Sequence, residues 1–236
     1  KTHWRFSTDR SKTADEYGIL LRSMFDYCDV PMKEVTSVIL SSVVPPVVVP
    51  LCHMCERYFG VKPLVVGHSN KNGISIKYDN PKEVGADRIV NAVAVLDKYA
   101  NLGKPMIVVD FGTATTFCAL LPNGEYLGGS IVPGIGISAE ALFQRAAKLP
   151  RIELIKPKNI ICRNTVSSMQ AGIMYGAVGQ MEGIVQHMKR ELGGEALVIA
   201  TGGFANMMKK ESELIDIVEP FLTLDGLRIL HEKNSK

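Results

Sequence analysis

The chain has 236 residues, enough for one large domain or two small ones, and 46% of them are hydrophobic, which is ample for a buried core. Its formal net charge of +3 is small and its basic residues are scattered, so the composition argues against a nucleic-acid-binding protein. The richest apolar run, residues 43–51, is broken by prolines and is shorter than the roughly 20 residues of a membrane-spanning helix; we see no signal peptide.

The cysteines are few and odd in number for this length, which fits the reducing cytoplasm. Cys52 and Cys55 have the spacing of a redox or metal-binding pair, but no second pair lies nearby, and both fall in a helix predicted to start after Pro50. Because cysteine packs readily as a small hydrophobic residue, we favour structural cysteines over metal ligands.

The first half of the chain, residues 1–104, mixes predicted helices and strands. Residues 13–16, Thr-Ala-Asp-Glu, form a capping box that precedes apolar residues at helical spacing. Short strands are predicted at residues 38–40 and 64–66, and Asp87 opens a further helix. Residues 101–105, Asn-Leu-Gly-Lys-Pro, mark the predicted domain boundary.

The second half, residues 105–236, restarts with a buried strand at 106–110 and a hairpin that turns at Asn123-Gly124. Loops are predicted at 128–129, 133–136 and 201–203, with a strand at 196–200. Predicted helices begin at Ser138 as N-cap, at Thr165 as cap, and at Thr223. Strands followed by helices in this order predict an α/β fold.

The predicted helix from Thr165 to Leu192 carries a broad apolar stripe that is rich in methionine and glycine. One interpretation is an ordinary core helix. The other is a helix that buries a second face against a partner subunit, and we favour this dimer contact.

Several nucleotide-binding signatures are lacking. No Gly-x-x-x-x-Gly-Lys-[Ser/Thr] sequence occurs, which disfavours a P-loop kinase. Residues 110–112 read Asp-Phe-Gly, but the catalytic loop that precedes this motif in protein kinases is lacking. Gly134 and Gly136 alone are too weak a pattern for a dinucleotide fingerprint.

Residues 110–115, Asp-Phe-Gly-Thr-Ala-Thr, directly follow the predicted buried strand. Asp110 could be a salt-bridged core acid at a strand end. Gly112, which a phosphate can approach closely, and the Thr113 hydroxyl instead favour a site for phosphate groups and a cation. The pattern is typical of a phosphotransferase.

Residues 85–88, Gly-Ala-Asp-Arg, form a second acidic loop. Asp87 could serve only as a helix cap with a surface ion pair to Arg88, since aspartate is favoured in the first helical turn. Gly85, with Tyr78 and Asn80 upstream, favours a polar pocket. Residues 201–203, Thr-Gly-Gly, could let a nucleoside lie against bare backbone, but their spacing alone favours an ordinary strand-to-helix turn.

Taken together, these segments strongly resemble the type III pantothenate kinases over the whole chain. The matching segments are Lys-Tyr-Asp-Asn-Pro (77–81), Val-Gly-Ala-Asp-Arg-Ile-Val-Asn-Ala (84–92), Val-Asp-Phe-Gly-Thr-Ala-Thr-Thr (109–116), Gly-Gly to Pro-Gly-Ile (128–135), Asn-Thr-Val (164–166) and Ala-Thr-Gly-Gly (200–203). The resemblance implies an α/β fold with two RNase H-like domains of the actin-like ATPase superfamily, divided here into 1–104 and 105–236, with the nucleotide between them.

The resemblance also implies an activity, the ATP-dependent phosphorylation of pantothenate in coenzyme A synthesis by a cytoplasmic homodimer. By motif, Asp87 corresponds to the general base for the pantothenate hydroxyl, and Asp110 to the residue that holds a monovalent cation, K⁺ or NH₄⁺. Mg²⁺ enters with ATP. Further substrate-binding positions are Tyr78, Gly85, Ala86, Arg88 and Thr165, and the ATP-binding positions are Gly112, Thr113, Thr201, Gly202 and Gly203.

The chain departs from the family pattern at its start. The family begins with an Asp-x-Gly-Asn-Thr strand-turn that forms half of the phosphate cradle, whereas residues 1–6 of this sequence match the family's third strand. We therefore expect the N-terminal RNase H-like domain to lack its first strands in this sequence. Unpaired strand groups are rarely tolerated in a core, so we expect the natural protein to carry roughly 20 to 30 more N-terminal residues.

Two other functions compete with this one. A catalytically impaired relative could act as a regulatory or accessory binding protein. The intact set of predicted site residues argues against a decayed site: Asp87, Arg88, Asp110 and Thr113. A sugar or acetate kinase of the same superfamily is the other alternative, which the match at residues 85–91 disfavours.

Overall fold

The computed structural model describes residues 2–67 and 71–235. The chain forms two compact units, each built from separate stretches of sequence. Unit 1 comprises Lys1–Asn72, Val84–Val90 and Leu227–Lys236, and unit 2 comprises Gly73–Glu83 and Asn91–Gly226. The domain boundary after residue 104 stays a prediction.

Helices and strands follow one another along both units. The helices are α1 (Ala14–Tyr27), α2 (Pro45–Met54), α3 (Ala86–Tyr99), α4 (Ile135–Arg145), α5 (Thr165–Glu191), α6 (Ala205–Glu211) and α7 (Leu222–Asn234). The strands are β1 (Ile39–Leu40), β2 (Leu64–Val65), β3 (Ser75–Ile76), β4 (Met106–Phe111), β5 (Ala114–Leu120), β6 (Glu125–Pro133), β7 (Leu197–Gly202) and β8 (Ile217–Val218). Within residues 2–67 and 71–235, no helix is long and apolar enough to cross a membrane.

Helix α1 of unit 1 starts at the predicted capping box. The Thr13 hydroxyl accepts a hydrogen bond from the Glu16 backbone N–H at 3.3 Å, and the Glu16 carboxylate accepts one from the Thr13 N–H at 2.7 Å. Two otherwise unsatisfied N–H groups at the helix start are thereby satisfied. The helix buries Tyr17 against Met54 and Cys55, which form the core of this unit.

Helix α2 begins at Pro45, earlier than the predicted start after Pro50, and Pro50 lies inside it. Pro45 and Pro46 occupy the first helical turn, where no backbone N–H is needed, so they start the helix rather than prevent it. Cys55 follows at the start of a π-helical segment, Cys55–Phe59, and is 1% exposed. Burial raises the pKa of its thiol to about 11, as expected for a core cysteine.

The two predicted strands of unit 1 form a parallel pair, with Ile39 opposite Leu64 and Leu40 opposite Val65. Residues 2–6, which match the family's third strand in sequence, do not form a strand. The physical reason is that a strand needs a ladder partner, and within 2–67 and 71–235 no segment pairs with these residues.

Unit 2 is built on a sheet of strand order β3-β6-β5-β4-β7-β8. Strands β4, β5 and β6 form an antiparallel meander, and β7 and β8 continue it in parallel on the β4 side. A meander extended in this way is the arrangement of an RNase H-like domain. The predicted α/β fold class is confirmed.

Strand β4 lies at the centre of the core of unit 2. Its residues Met106 to Val109 are at most 2% exposed, which explains why the strand reads as a continuous apolar run. Helix α5 packs Met174, Met181 and Val185 into the same cluster. The polar end of β4, from Asp110 onward, is therefore held at a fixed position by a well-packed strand.

Several predicted boundaries are wrong by a few residues. Helix α4 begins at Ile135 with Gly134 as N-cap, and Ser138 lies inside the helix, where its hydroxyl donates to the Gly134 carbonyl. Asn164 rather than Thr165 caps α5, since its side chain accepts from the Ser167 N–H. The loops predicted at 128–129 and at the start of 201–203 are extensions of β6 and β7, because cross-strand ladders continue through them.

Candidate active site

The predicted cation and ATP residues of unit 2 meet at one edge of its sheet. Strands β4 and β7 are parallel, so their carboxyl ends lie side by side, with Asp110 opposite Thr201 and Phe111 opposite Gly202. In open α/β sheets, ligands bind at the carboxyl ends of the strands. The structure thus brings together Asp110, Thr201 and Gly202, which are about 90 residues apart in sequence by their numbering.

Gly202 lets β7 approach the end of β4 closely at this strand edge. Its φ of +92° is one that side chains rarely adopt. A Cβ atom at this position would lie 2.6 Å from the Phe111 carbonyl oxygen and 2.7 Å from Asp110 Oδ1. The next residue, Gly203, donates its N–H to the same Phe111 carbonyl at 3.1 Å. Only glycine fits here, because the end of β4, including the Asp110 carboxylate, occupies the position of a side chain.

The turn at Gly112 and Thr113 connects β4 to β5 and is exposed. Gly134, the N-cap of α4, packs directly behind it and donates its N–H to the Thr113 carbonyl at 3.1 Å. A Cβ atom on Gly134 would lie 2.2 Å from that carbonyl oxygen, so this contact also requires glycine. The arrangement places an exposed hydroxyl and a flexible turn beside the start of a helix, where anions are favoured.

The Asp110 carboxylate is held by a residue that we had not predicted. Asn91 of α3 donates its side-chain amide to Asp110 Oδ2 at 2.9 Å, and its amide oxygen accepts from the Thr223 hydroxyl at 2.8 Å. Asn91 is 3% exposed. Asp110 thus accepts a hydrogen bond from a buried side-chain amide.

The predicted substrate residues of unit 1 lie at the start of α3. The Gly85 carbonyl accepts the first helical hydrogen bond, from the Ile89 N–H at 3.2 Å, so Gly85 is the N-cap. Asp87 Oδ1 accepts from the Arg88 N–H at 2.8 Å, within the first turn, and Arg88 is 6% exposed. Ala86 and Asp87 are half-buried. The carboxylate of Asp87 thus lies where the helix dipole favours negative charge.

The two remaining predicted substrate residues belong to unit 2 but not to the strand edge. Tyr78 packs its ring against Tyr126 of β6 at a centroid distance of 5.9 Å. Thr165 is exposed at the start of α5 and lines a cavity of about 800 Å³ together with Arg163 and Leu142. Within unit 2 these residues form two further polar positions on the surface.

Comparison with known proteins identifies the family. A family model of type III pantothenate kinases matches residues 1–187 of the chain. A type III pantothenate kinase from Bacillus cytotoxicus is 58% identical over 233 residues, which cover 99% of this chain and 88% of the relative. This chain belongs to the type III pantothenate kinase family. The family resemblance inferred from the motifs is confirmed.

Solved structures resemble the chain at much lower sequence identity. A Campylobacter jejuni protein assigned to the Baf family of transcriptional activators matches with a TM-score of 0.59 at 15% identity, over 90% of this chain and 88% of its own. MreB 5 of Spiroplasma citri, crystallised with AMPPNP, matches with a TM-score of 0.49 at 11% identity, over 93% of this chain and 75% of its own. At 15% identity, the likeness to the Campylobacter jejuni protein concerns the fold alone.

In this type III pantothenate kinase family member, ion pairs and a hydrogen bond connect the segment after β8 to α3. Lys98 contacts Glu219 at 3.0 Å and Asp225 at 2.6 Å, and the Tyr99 hydroxyl donates to Glu219. Burial lowers the pKa of Lys98, but the hydrogen bonds and charges of the two carboxylates outweigh it, so the pKa is raised overall. These contacts, the Lys98 cluster, anchor the segment that carries Thr223.

Proposed function

We propose that this protein transfers the terminal phosphoryl group of ATP to the primary hydroxyl of pantothenate, giving 4′-phosphopantothenate, the first step of coenzyme A biosynthesis. The observation that carries the proposal is the strand edge of unit 2 in a chain of this family. The Asp110 carboxylate and the adjacent glycines 202 and 203 lie at the ends of β4 and β7, and the exposed Thr113 follows in the turn after β4.

The strand edge supplies what phosphoryl transfer requires. Such reactions pass through a loose transition state, so most of the catalysis consists of positioning the reactants and stabilising charge. We assign Gly112, Thr113 and the segment 201–203 to ATP, with Mg²⁺ carried in as part of that substrate. The positive φ of Gly202 and its missing side chain support close approach of a nucleotide to the backbone.

Asp110 and its surroundings fit a monovalent cation. The Asp110 carboxylate and the Phe111 carbonyl both lie close to Gly202 at the end of β4, and oxygen donors of this kind suit hard cations. Asp110 and this carbonyl would hold K⁺ or NH₄⁺, which would offset the negative charge of the phosphates. Asp110 itself would remain ionised and act through its charge.

We assign the general base to Asp87. A carboxylate in the first turn of α3 can accept the proton of a primary hydroxyl as the phosphoryl group is transferred. Gly85 and Ala86 would leave room for the pantothenate chain, and Arg88 would contribute a positive charge. Tyr78 and Thr165 complete the proposed set of substrate-binding residues.

The decisive experiment measures pantothenate-dependent ADP release with magnesium-ATP, with and without K⁺ or NH₄⁺. We expect cation-dependent turnover, and a fall in kcat of about 10² to 10⁴ in the Asp87→Asn variant, which is the usual cost of losing a general base. Asp97→Asn is the matched control, because Asp97 is an exposed aspartate of the same helix. It should stay within about twofold of the wild type, as surface changes usually do.

Other outcomes would contradict parts of the proposal. Turnover that survives in Asp87→Asn would remove the base assignment but keep the activity. Faster turnover of a sugar or of acetate than of pantothenate would point to another small-molecule kinase of the superfamily. Binding of pantothenate without turnover would favour an accessory binding protein.

We also propose a homodimer in the cytoplasm. The glycines at positions 172, 176 and 179 of α5 are exposed, with open space where a Cβ atom would lie, which leaves this helix surface accessible to a second copy. The small, odd number of cysteines supports a reducing compartment. Light scattering of the purified protein tests the dimer, since a monomer mass at micromolar concentration would contradict it.

A further inference from the structure

The Asp110 carboxylate has its two oxygens in different surroundings. Oδ2 accepts the hydrogen bond from Asn91 at 2.9 Å, whereas Oδ1 is the oxygen that lies beside Gly202. The first contact fixes the rotation of the carboxylate about its side-chain bond, and thereby the direction of the second oxygen. The side chain of Asn91 thus contributes to the direction in which Asp110 faces the strand edge.

Asn91 is in turn oriented by Thr223. A side-chain amide can be turned over so that its oxygen and nitrogen exchange places, and only its hydrogen-bond partners decide between the two states. An ionised Asp110 can only accept, so it requires the nitrogen, and the hydroxyl of Thr223 donates to the oxygen at 2.8 Å. The hydroxyl therefore selects the amide orientation that suits Asp110.

Burial strengthens this chain of hydrogen bonds. Asn91 is 3% exposed, so water competes little for its amide, and bonded groups in series polarise one another. The three hydrogen-bonded residues belong to different elements: Thr223 is on α7, Asn91 on α3 and Asp110 on β4. All three residues lie in unit 2, where the Lys98 cluster also anchors the segment after β8.

We infer that Asn91 and Thr223 are positioning residues that orient Asp110 for the monovalent cation. The inference rests on the proposed function, because it concerns the cation that Asp110 is proposed to hold. Neither residue needs to touch a substrate. Their effect is on cation affinity through the direction of the carboxylate, as partners of metal ligands commonly act.

The test compares Thr223→Val with Thr223→Ser. Valine keeps the shape of threonine but removes the hydroxyl, whereas serine keeps the hydroxyl. We expect Thr223→Val to raise the half-activating concentration of K⁺ or NH₄⁺ about 10- to 100-fold, the usual effect of losing such a partner, and Thr223→Ser to restore it. The KM for pantothenate should change little.

A second readout does not need turnover. In the presence of ATP, K⁺ or NH₄⁺ should raise the melting temperature of the wild type and of Thr223→Ser, and Thr223→Val should need a correspondingly higher cation concentration for the same rise. Asp225→Asn is the control for packing, because Asp225 joins α7 to α3 through Lys98 but does not contact Asn91. Its cation response should match that of the wild type.

Two outcomes would overturn the inference: an unchanged cation response in Thr223→Val, or an equal loss in Asp225→Asn, which would indicate loosened packing. A wild type that turns over pantothenate without any cation response would overturn the inference and leave the kinase activity standing. A wild type without turnover, whose cation-dependent melting shift is lost in Thr223→Val, would support the inference and contradict the proposed function.

Discussion

Replacement of Gly202 by alanine tests whether the close approach of β7 to the end of β4 is required. The structure offers a matched control, because Gly193 has nearly the same φ, +93° against +92° at Gly202. A Cβ atom at position 193 would find open space, whereas one at position 202 would lie 2.6 Å from a backbone oxygen and 2.7 Å from Asp110 Oδ1. The two substitutions share the conformational strain but differ in the steric clash.

The expected losses of stability follow from the conformational strain and the steric clash. Placing a side chain at such a φ costs about 1–2 kcal/mol, which both variants should show. The close contacts at Gly202 involve a backbone carbonyl that cannot move aside, and overpacking of this kind adds about 1–3 kcal/mol. For a chain of this size, 1 kcal/mol corresponds to roughly 2–4 °C in melting temperature. Gly193→Ala should therefore lose about 2–8 °C, and Gly202→Ala visibly more.

Activity separates the variants further. We expect Gly202→Ala to lower kcat/KM for ATP about tenfold or more, measured well below its melting temperature, because the added methyl group must displace the Asp110 carboxylate and the end of β4. Each 1.4 kcal/mol of lost interaction is about tenfold. Gly193→Ala should stay within about twofold of the wild type. Equal stability and equal activity of the two variants would refute the argument that the close packing at Gly202 is required.

Two further predictions concern ionisable groups. Burial and the Glu219 carboxylate raise the pKa of Tyr99 to about 12 from an ordinary value of 10, so between these pH values the folded protein keeps a proton that the unfolded chain loses. Stability should therefore fall as pH rises from about 10 to 12, and Tyr99→Phe should remove this part of the slope in thermal melting; an identical slope would contradict the assigned cause. Because burial raises the pKa of Cys55 to about 11, iodoacetamide at about pH 8 should modify Cys55 only after denaturation, as peptide mass spectrometry can show; rapid labelling of the native protein would contradict its place in the core.

The elements that could be predicted from sequence are those whose signals are local. The capping box of α1 consists of residues 13–16, and the apolar run that precedes Asp110 is one continuous segment. The residues Asn123-Gly124, which lie between β5 and β6, predict the hairpin that these strands form. In each case the residues that decide the conformation are neighbours in the chain, so the sequence pattern was sufficient to predict the element.

Predicted boundaries failed where a distant contact overrides the local signal. Ser138 is a good N-cap by residue type, yet α4 starts at Ile135 because Gly134 packs against the Thr113 carbonyl. The two glycines after Leu127 read as a loop, but their ladder with β5 keeps them in β6. The short strands β3 and β8 were missed because, unlike β1 and β2, neither lies in an uninterrupted run of three apolar residues.

In the candidate site, too, residues with local signals were predicted and a residue that depends on distant contacts was not. Asp110, Gly112 and Thr113 were identified because their chemistry is visible within one short segment. Asn91 lies inside a segment that matched the family, but its role depends on Asp110, 19 residues away, and on Thr223, 132 residues away. A buried asparagine is costly unless both ends of its amide are satisfied, so its presence in an otherwise apolar helix face requires two partners. Sequence pattern can indicate that such partners exist, whereas only the fold shows that one of them is the carboxylate at the strand edge.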